Sequence, residues 1–385
     1  FADRCRASLQ TAKDSGKDRI DPKIARRVLG YYAEEEVPMM HHFAENFTIC
    51  DRWFSSTSGS TWANRLFLYY GRSGDDDQPL IDNIDMFETD DRRNARQADR
   101  EDRKEKLDNL DLKGHDKREE RRDMRKSDRD ERKNAREEKQ ETQPRRRDYR
   151  QAISTPSIFD LMDAAGQSWG VYHDGMVPWK MLLPHQHFGG KHGRVRKLST
   201  LNQDIRQGDL PKLVFLDPDF DLNPNDDHVP IDAVKGQRFL KRIYDLVTEN
   251  AAVFKRSALV ITWDEHGGFY DHVDPRNFPT GDLAPFEHYG VRVPAIVAGG
   301  RFPARAVSKL VFDHTSVMAT ALRAFAPGQL PKAPERVRNA KHLGFLMTEQ
   351  ERPSFPAAPE VKRIAREATK KSDLFRTWMR MAGVG

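Results

Sequence analysis

The sequence predicts an α/β fold built on a mainly parallel sheet that is covered on both faces. Two observations carry that expectation. The runs Leu213-Val214-Phe215-Leu216, Ala258-Leu259-Val260-Ile261-Thr262-Trp263 and Val293-Pro294-Ala295-Ile296-Val297-Ala298 are apolar throughout rather than alternating, as strands buried on both sides are. A helical period lies between them. Over Ile231 to Glu249, the residues Ile231, Val234, Leu240, Ile243, Leu246 and Val247 fall largely on one face.

The other elements follow in chain order. Ser58-Gly59-Ser60-Thr61 is a hydroxyl-rich turn that opens into an apolar, helix-like segment through Phe67. Ile158 to Met162 reads as a helix that Gly166 ends, and Ser168 to Tyr172 as a short strand. The core is expected over residues 1–89 and 151–345. A tail follows over 346–385, amphipathic and basic from about Glu360 to Met381. Packing on the core is the default reading of that tail, and contact with a membrane surface the minority one.

Composition narrows the function classes. Of 385 residues, 37% are hydrophobic and 32% charged, and no run of about 18 apolar residues could cross a bilayer. Two cysteines, Cys5 and Cys50, are too few for a disulfide framework or a cysteine-based zinc site, although one disulfide stays open. The first residue is Phe1 and no leader pattern follows, so a mature form or a fragment is expected. Localisation and oligomeric state are left open.

The net charge of +5 has one source. Residues 91–150 hold 23 Lys and Arg against 18 Asp and Glu, which is the whole imbalance. From Asp90 to Arg150 the chain is a mixed-charge insertion, with Leu107, Leu110, Leu112 and Met124 off any heptad. A solvated helix laced by i,i+4 pairs and plain disorder fit it equally. Interspersed acids cancel most of its field, so no nucleic-acid partner is expected.

Three segments carry chemistry. Asp264-Glu265-His266-Gly267-Gly268 directly follows the Ala258–Trp263 strand, and ligands of open parallel sheets gather beyond the carboxyl ends of strands. Two adjacent carboxylates there call for a partner, and a hard divalent cation would satisfy them. The alternative is a helix cap plus a surface acid. Asn225-Asp226-Asp227-His228 lies between Pro224 and Pro230. His228 there suits a metal ligand, a phosphate contact or a general acid; the bland reading has Asp227 or Asp232 capping the next helix. Ser58 to Phe67 places hydroxyls at a helix start, which favours anions. A Ser or Thr there becomes a nucleophile when a metal lowers its pKa, but a simple N-cap is the commoner use.

Taken in order, these segments resemble a family of phosphoesterases that includes bacterial and plant phospholipases C and an acid phosphatase group, within the alkaline-phosphatase-like superfamily. The resemblance rests on His42 to Asp51, Thr61-Trp62-Ala63-Asn64-Arg65-Leu66, Trp169-Gly170-Val171-Tyr172, Asn225 to His228, Ile261 to His272, Gly290 to Ile296 and Phe312-Asp313-His314-Thr315-Ser316. It covers roughly residues 30–325, apart from the insertion.

The resemblance implies a three-layer α/β sandwich of alkaline-phosphatase type and a metal-dependent phosphoric ester hydrolase. Thr61 matches the nucleophile that forms a phosphoenzyme, with Ser60 in its place if the register differs by one. Asn64 matches the residue that holds phosphoryl oxygens. Asp264 and Glu265 match metal ligands, joined by Thr61. His228 matches the histidine at the phosphoryl group or its leaving oxygen, and His173 a further pocket histidine. His272 and His314 are expected to support the structure. Oxygen ligands imply Ca²⁺, Mg²⁺ or Mn²⁺. The substrate implied is a phosphate ester, either a phospholipid or a small monoester, and family members are often periplasmic or secreted.

Two departures stand out. The family usually begins with a buried strand followed by Glu-Asn-Arg-Ser-Phe-Asp, whose Glu and Asn bind metal, and no such motif precedes His42. A central strand and half of the metal shell are therefore expected to be missing. That motivates the competing expectation of a catalytically inactive relative acting as a binding module. Ala63 also stands where a proline is usual.

Overall fold

The computed structural model describes residues 32–75, 78–79, 153–175, 194–220, 223–228 and 231–362. The charged insertion and all but the first residues of the amphipathic tail lie outside them. None of the described helices is long and apolar enough to cross a membrane.

The described chain is a mixed α/β structure with two main sheets. Strands β1 (Thr48–Cys50), β7 (Leu259–Thr262), β8 (Ala295–Ala298) and β9 (Ala306–Ser308) form one sheet, in the order β7-β8-β1-β9. Strands β4 (Trp169–His173), β5 (Val195–Lys197) and β6 (Leu213–Asp217) form the other, in the order β5-β4-β6. A small hairpin pairs β2 (Gly74–Asp75) with β3 (Gln78–Pro79).

The three-stranded sheet is parallel throughout. The four-stranded sheet is not, because β8 runs against both β7 and β1. Strands β7, β1 and β9 point the same way, so β8 alone departs from the expectation of a mainly parallel sheet. A run buried on both faces is apolar whichever way its neighbours point, so composition carried no direction for Val293 to Ala298. Among the described residues the strands do not join into the single central sheet of a three-layer sandwich. Strands β6 and β7 each end their sheet, and the edges they turn toward one shared cleft pair with no described strand.

Both faces of both sheets are covered. Helices α1 (Pro38–Asn46) and α5 (Ala233–Glu249) bury Met39, Phe43, Val234 and Tyr244 against Ile261, Ile296 and Ala298. Ala295 and Val297, one residue out of step, face the opposite core with Trp53, Phe312 and Leu343. On the smaller sheet, Trp169, Val171 and Leu213 pack on α2 (Thr61–Tyr70), α3 (Ile158–Ala164) and α7 (Thr315–Phe325). Tyr172 points the other way, toward Leu201 and Ile205 of α4 (Leu201–Gln207) and Ile243 of α5. Helix α5 thus serves both sheets, through Tyr244 for one and Ile243 for the other.

Local chemistry fixes the helix starts. Ser157 and Asp160 form a reciprocal capping box on α3. The Asp232 carboxylate accepts the Val234 N–H at 3.2 Å and caps α5. Cys50 is a buried free thiol, pushed up to about 12 by burial, and Cys5 lies outside the described residues.

One buried ion pair ties the far end of the chain to the core. Arg336, on the short helix α8 (Glu335–Asn339), donates to Asp313 at 2.9 Å, Asp282 at 2.8 Å and the Ser56 carbonyl at 2.6 Å. Its side chain is 4% exposed and that of Asp313 2%. Removing one partner leaves an uncompensated buried charge. Arg336→Met is expected to lower unfolding free energy by about 3–5 kcal/mol in urea titration.

Candidate active site

Thr61 is the first residue of α2, and Ser60 occupies the N-cap position without making a side-chain cap. The side chain that organises this turn is Asn64, which has no exposed surface. Its Oδ1 accepts the Thr57 N–H at 3.1 Å, while its Nδ2 donates to the carbonyls of Gly59 at 3.1 Å and Ser60 at 3.2 Å. Asn64 therefore holds the backbone that presents Thr61, and its amide points into its own turn.

Asp264 and Glu265 follow β7. Asp264 Oδ2 accepts Arg65 Nε at 2.9 Å, and its Oδ1 accepts the Glu265 N–H at 3.0 Å. Asp264 is therefore neither a helix cap nor a surface acid; it is tied to the helix that begins at Thr61. Glu265 Oε2 accepts the Gly267 N–H at 2.7 Å, in a bend where Gly267 takes φ 63° and Gly268 φ 79°. Burial, then the Asp264 charge, raise the Glu265 carboxyl above its ordinary range.

His314 supports this loop from below. Its Nε2 lies 2.8 Å from the Asp264 carbonyl and its Nδ1 3.4 Å from Trp53 Nε1. Indole N–H only donates, so Nδ1 accepts, and Nε2 carries the proton given to the carbonyl. Burial depresses the His314 pKa and favours that neutral form. Asp271 braces the far side of the loop through a two-pronged pair with Arg292, at 2.6 and 2.8 Å. His272 is largely exposed beside it.

The remaining expected residues divide. His228 is exposed, yet close enough to Asp226 and Glu265 for its charge to favour their ionised forms. His173 is buried at the carboxyl end of β4, its Nδ1 2.9 Å from the Gly175 carbonyl and its backbone in register with Asp217. Capping of α5 falls to Asp232. Asp227 instead sits with φ 62°, packed on Gly236 of α5 so closely that a Cβ there would collide with its carboxylate.

Two residues that the sequence reading passed over belong here. Asp217 ends β6 just as Asp264 follows β7, and the rule about strand ends applies equally to both. Arg65 lies 3.9 Å from Asp217 as well as 2.9 Å from Asp264. A buried arginine of this kind leaves no periodic signal. Together these groups border a cavity of about 230 Å³ between β6 and β7, walled by apolar side chains such as Phe215 and Ile261.

No group of three or more His, Cys, Asp or Glu side chains is gathered for a metal among the described residues. The donor chemistry nonetheless fits a hard cation. Asp217, Asp226, Asp227 and Asp264 all line this cavity, with Glu265 next in sequence. Oδ1 of Asp226 and Oδ1 of Asp227 are buried with no hydrogen-bond partner among the described residues. Burial, then the neighbouring Asp226 charge, push the Asp227 carboxyl up to about 7.

A family comparison fits this arrangement. The chain belongs to the Phosphoesterase family, whose model matches residues 7–326. Non-specific phospholipase C1 of Arabidopsis thaliana is 25% identical over 335 residues, covering 80% of this chain and 50% of that protein. The non-hemolytic phospholipase C of Pseudomonas aeruginosa is 24% identical over 348 residues, 80% of this chain and 42% of its own length. Phospholipase C A of Mycobacterium tuberculosis is 22% identical over 322 residues, 75% and 50% respectively. The chain thus spans about half the length of these relatives.

The raised Asp227 pKa has a consequence for stability. The unfolded carboxyl titrates near 4 and the folded one near 7. The folded state therefore binds the proton more tightly, and stability falls as pH rises through that window. Asp227→Asn is expected to raise the urea midpoint at pH 8 and to leave it nearly unchanged at pH 4. An equal shift at both values would assign the effect to packing instead.

Proposed function

We propose that the protein is a metal-dependent phosphoric ester hydrolase of phospholipase C type, with Thr61 as nucleophile. What supports this most is the juncture of the Thr61 helix with Asp264 through Arg65, in the wall of an acid-lined cavity, in a chain of the Phosphoesterase family. The relatives named above favour a phospholipid over a small monoester.

Each residue then has a task. Thr61 Oγ attacks phosphorus and releases its proton to solvent, while the bond from phosphorus to the leaving alcohol breaks. His228, exposed and near Asp226 and Glu265, supplies the proton that the leaving oxygen needs. A water then hydrolyses the phosphothreonine and restores the hydroxyl. Asn64 holds the turn that presents Thr61. His173, buried beside Asp217, shapes the end of the smaller sheet. Asp264 and Glu265, with Thr61, would hold a Ca²⁺, Mg²⁺ or Mn²⁺ ion. Such an ion lowers the pKa of a bound hydroxyl and offsets charge on the phosphoryl oxygens.

The test compares p-nitrophenyl phosphorylcholine with p-nitrophenyl phosphate, with and without chelator. Hydrolysis of the diester that chelator abolishes, and that Thr61→Ala reduces by at least about 10³-fold, is expected. Preference for the monoester would move the substrate to the phosphatase class. Chelator-insensitive turnover would remove the metal. No turnover by the folded chain would favour a binding module.

A further inference from the structure

We propose that Arg65 is the positioning residue of this site, orienting Asp264 as a ligand and fixing the Thr61 helix against the carboxyl ends of both sheets. The inference rests on the cation-assisted reading above and adds to it the residue that assembles the parts.

Arg65 lies one helical turn after Thr61, on the same face of α2. Its Nε holds Asp264 Oδ2 at 2.9 Å, and the Glu265 N–H holds the other oxygen at 3.0 Å. The plane of that carboxylate is therefore set by two donors, leaving lone pairs on both oxygens for a ligand. The same guanidinium stands 3.9 Å from Asp217 Oδ1, at the end of the other sheet, and its face is covered by Phe220 at 5.3 Å. The Tyr69 hydroxyl, one further turn along α2, is hydrogen-bonded to it as well. Helix, β6 end and β7 end thus meet on one planar cation with several fixed donors. Lysine offers a single mobile point charge and cannot hold that fork. Partners that orient a ligating carboxylate typically change metal affinity by about 10–100-fold when removed.

The experiment titrates Mn²⁺ into the wild-type chain, Arg65→Met and Arg65→Lys by calorimetry, with a thermal melt of each without added cation. The expected result is a Mn²⁺ dissociation constant raised by about 10–100-fold in Arg65→Met. Arg65→Lys should weaken binding by a smaller factor while melting near the wild type. Where Arg65→Met fails to fold, Arg65→Lys decides. Unchanged or tighter Mn²⁺ binding in the folded variants would overturn the proposal, making Arg65 a structural counter-ion or a competitor for Asp264. Absence of Mn²⁺ binding by the wild type would instead overturn the cation-assisted reading, and this inference with it.

Discussion

The contact between Arg65 and Asp264 joins the helix that begins at Thr61 to the end of β7. Arg65 belongs to a helix whose apolar face packs with the three-stranded sheet. Asp264 follows a strand of the other sheet, most of whose core lies elsewhere. A guanidinium enclosed this far from water demands carboxylates around it. Burial works against its charge, and Asp264, Tyr69 and Asp217 together hold it charged, above the ordinary arginine range. The price of burying one arginine thus fixes where two strand ends lie. Helix α5 supplies the apolar counterpart, since its Tyr244 and Ile243 enter the cores of different sheets.

The loops around the site are stiffened by polar pairs of the same kind. Asn64 closes the turn before α2, and His314 grips the Asp264 carbonyl. The Asp271 and Arg292 pair ties the glycine-rich bend back to Asp51, whose carbonyl Arg292 reaches at 2.8 Å. Each of these partners sits far away in sequence or on the opposite side of a turn. Buried polar groups need partners wherever they can be found, so a loop rich in Asp, Asn and His becomes as fixed as the strands that carry it. Site residues placed on such loops can keep their geometry without being part of a sheet.

Much of the architecture was legible in the chain. The apolar runs at 213, 258 and 293 and the amphipathic run from Ile231 all became the expected elements, with ends shifted by at most two residues. Strand direction was not legible, because β8 has the composition of a parallel strand and an antiparallel pairing. The strand-end rule points to Asp264, and Asp217 obeys it equally. By sequence, Asp227 suits the α5 cap as well as Asp232 does. Its left-handed backbone and the missing Cβ of Gly236 let it pack beneath α5 instead, and such a fit exists only in three dimensions. Asn64 shows the opposite limit: the motif marked it as part of the site, and its hydrogen bonds give it a reason to be there that is independent of any ligand.

The charge balance at the cleft gives the site its character. Asp217, Asp226, Asp227 and Asp264 line one cavity with the single guanidinium of Arg65, and Glu265 stands beside them. That guanidinium, even with the exposed His228 near Asp226 and Glu265, does not offset five carboxyls in a place where burial already penalises charge. The surplus appears as raised pKa values at Asp226, Asp227 and Glu265, each led by burial. Such a cluster relaxes in two ways: it takes up protons, or it takes up a compact cation with two charges and a liking for oxygen. Protons relieve the repulsion but withdraw carboxylates as ligands. A divalent cation relieves it while leaving them as ligands, beside a helix start where a phosphoryl anion is welcome. The same excess of negative charge that makes this cleft costly to fold at high pH is therefore what would fit it for phosphoester chemistry.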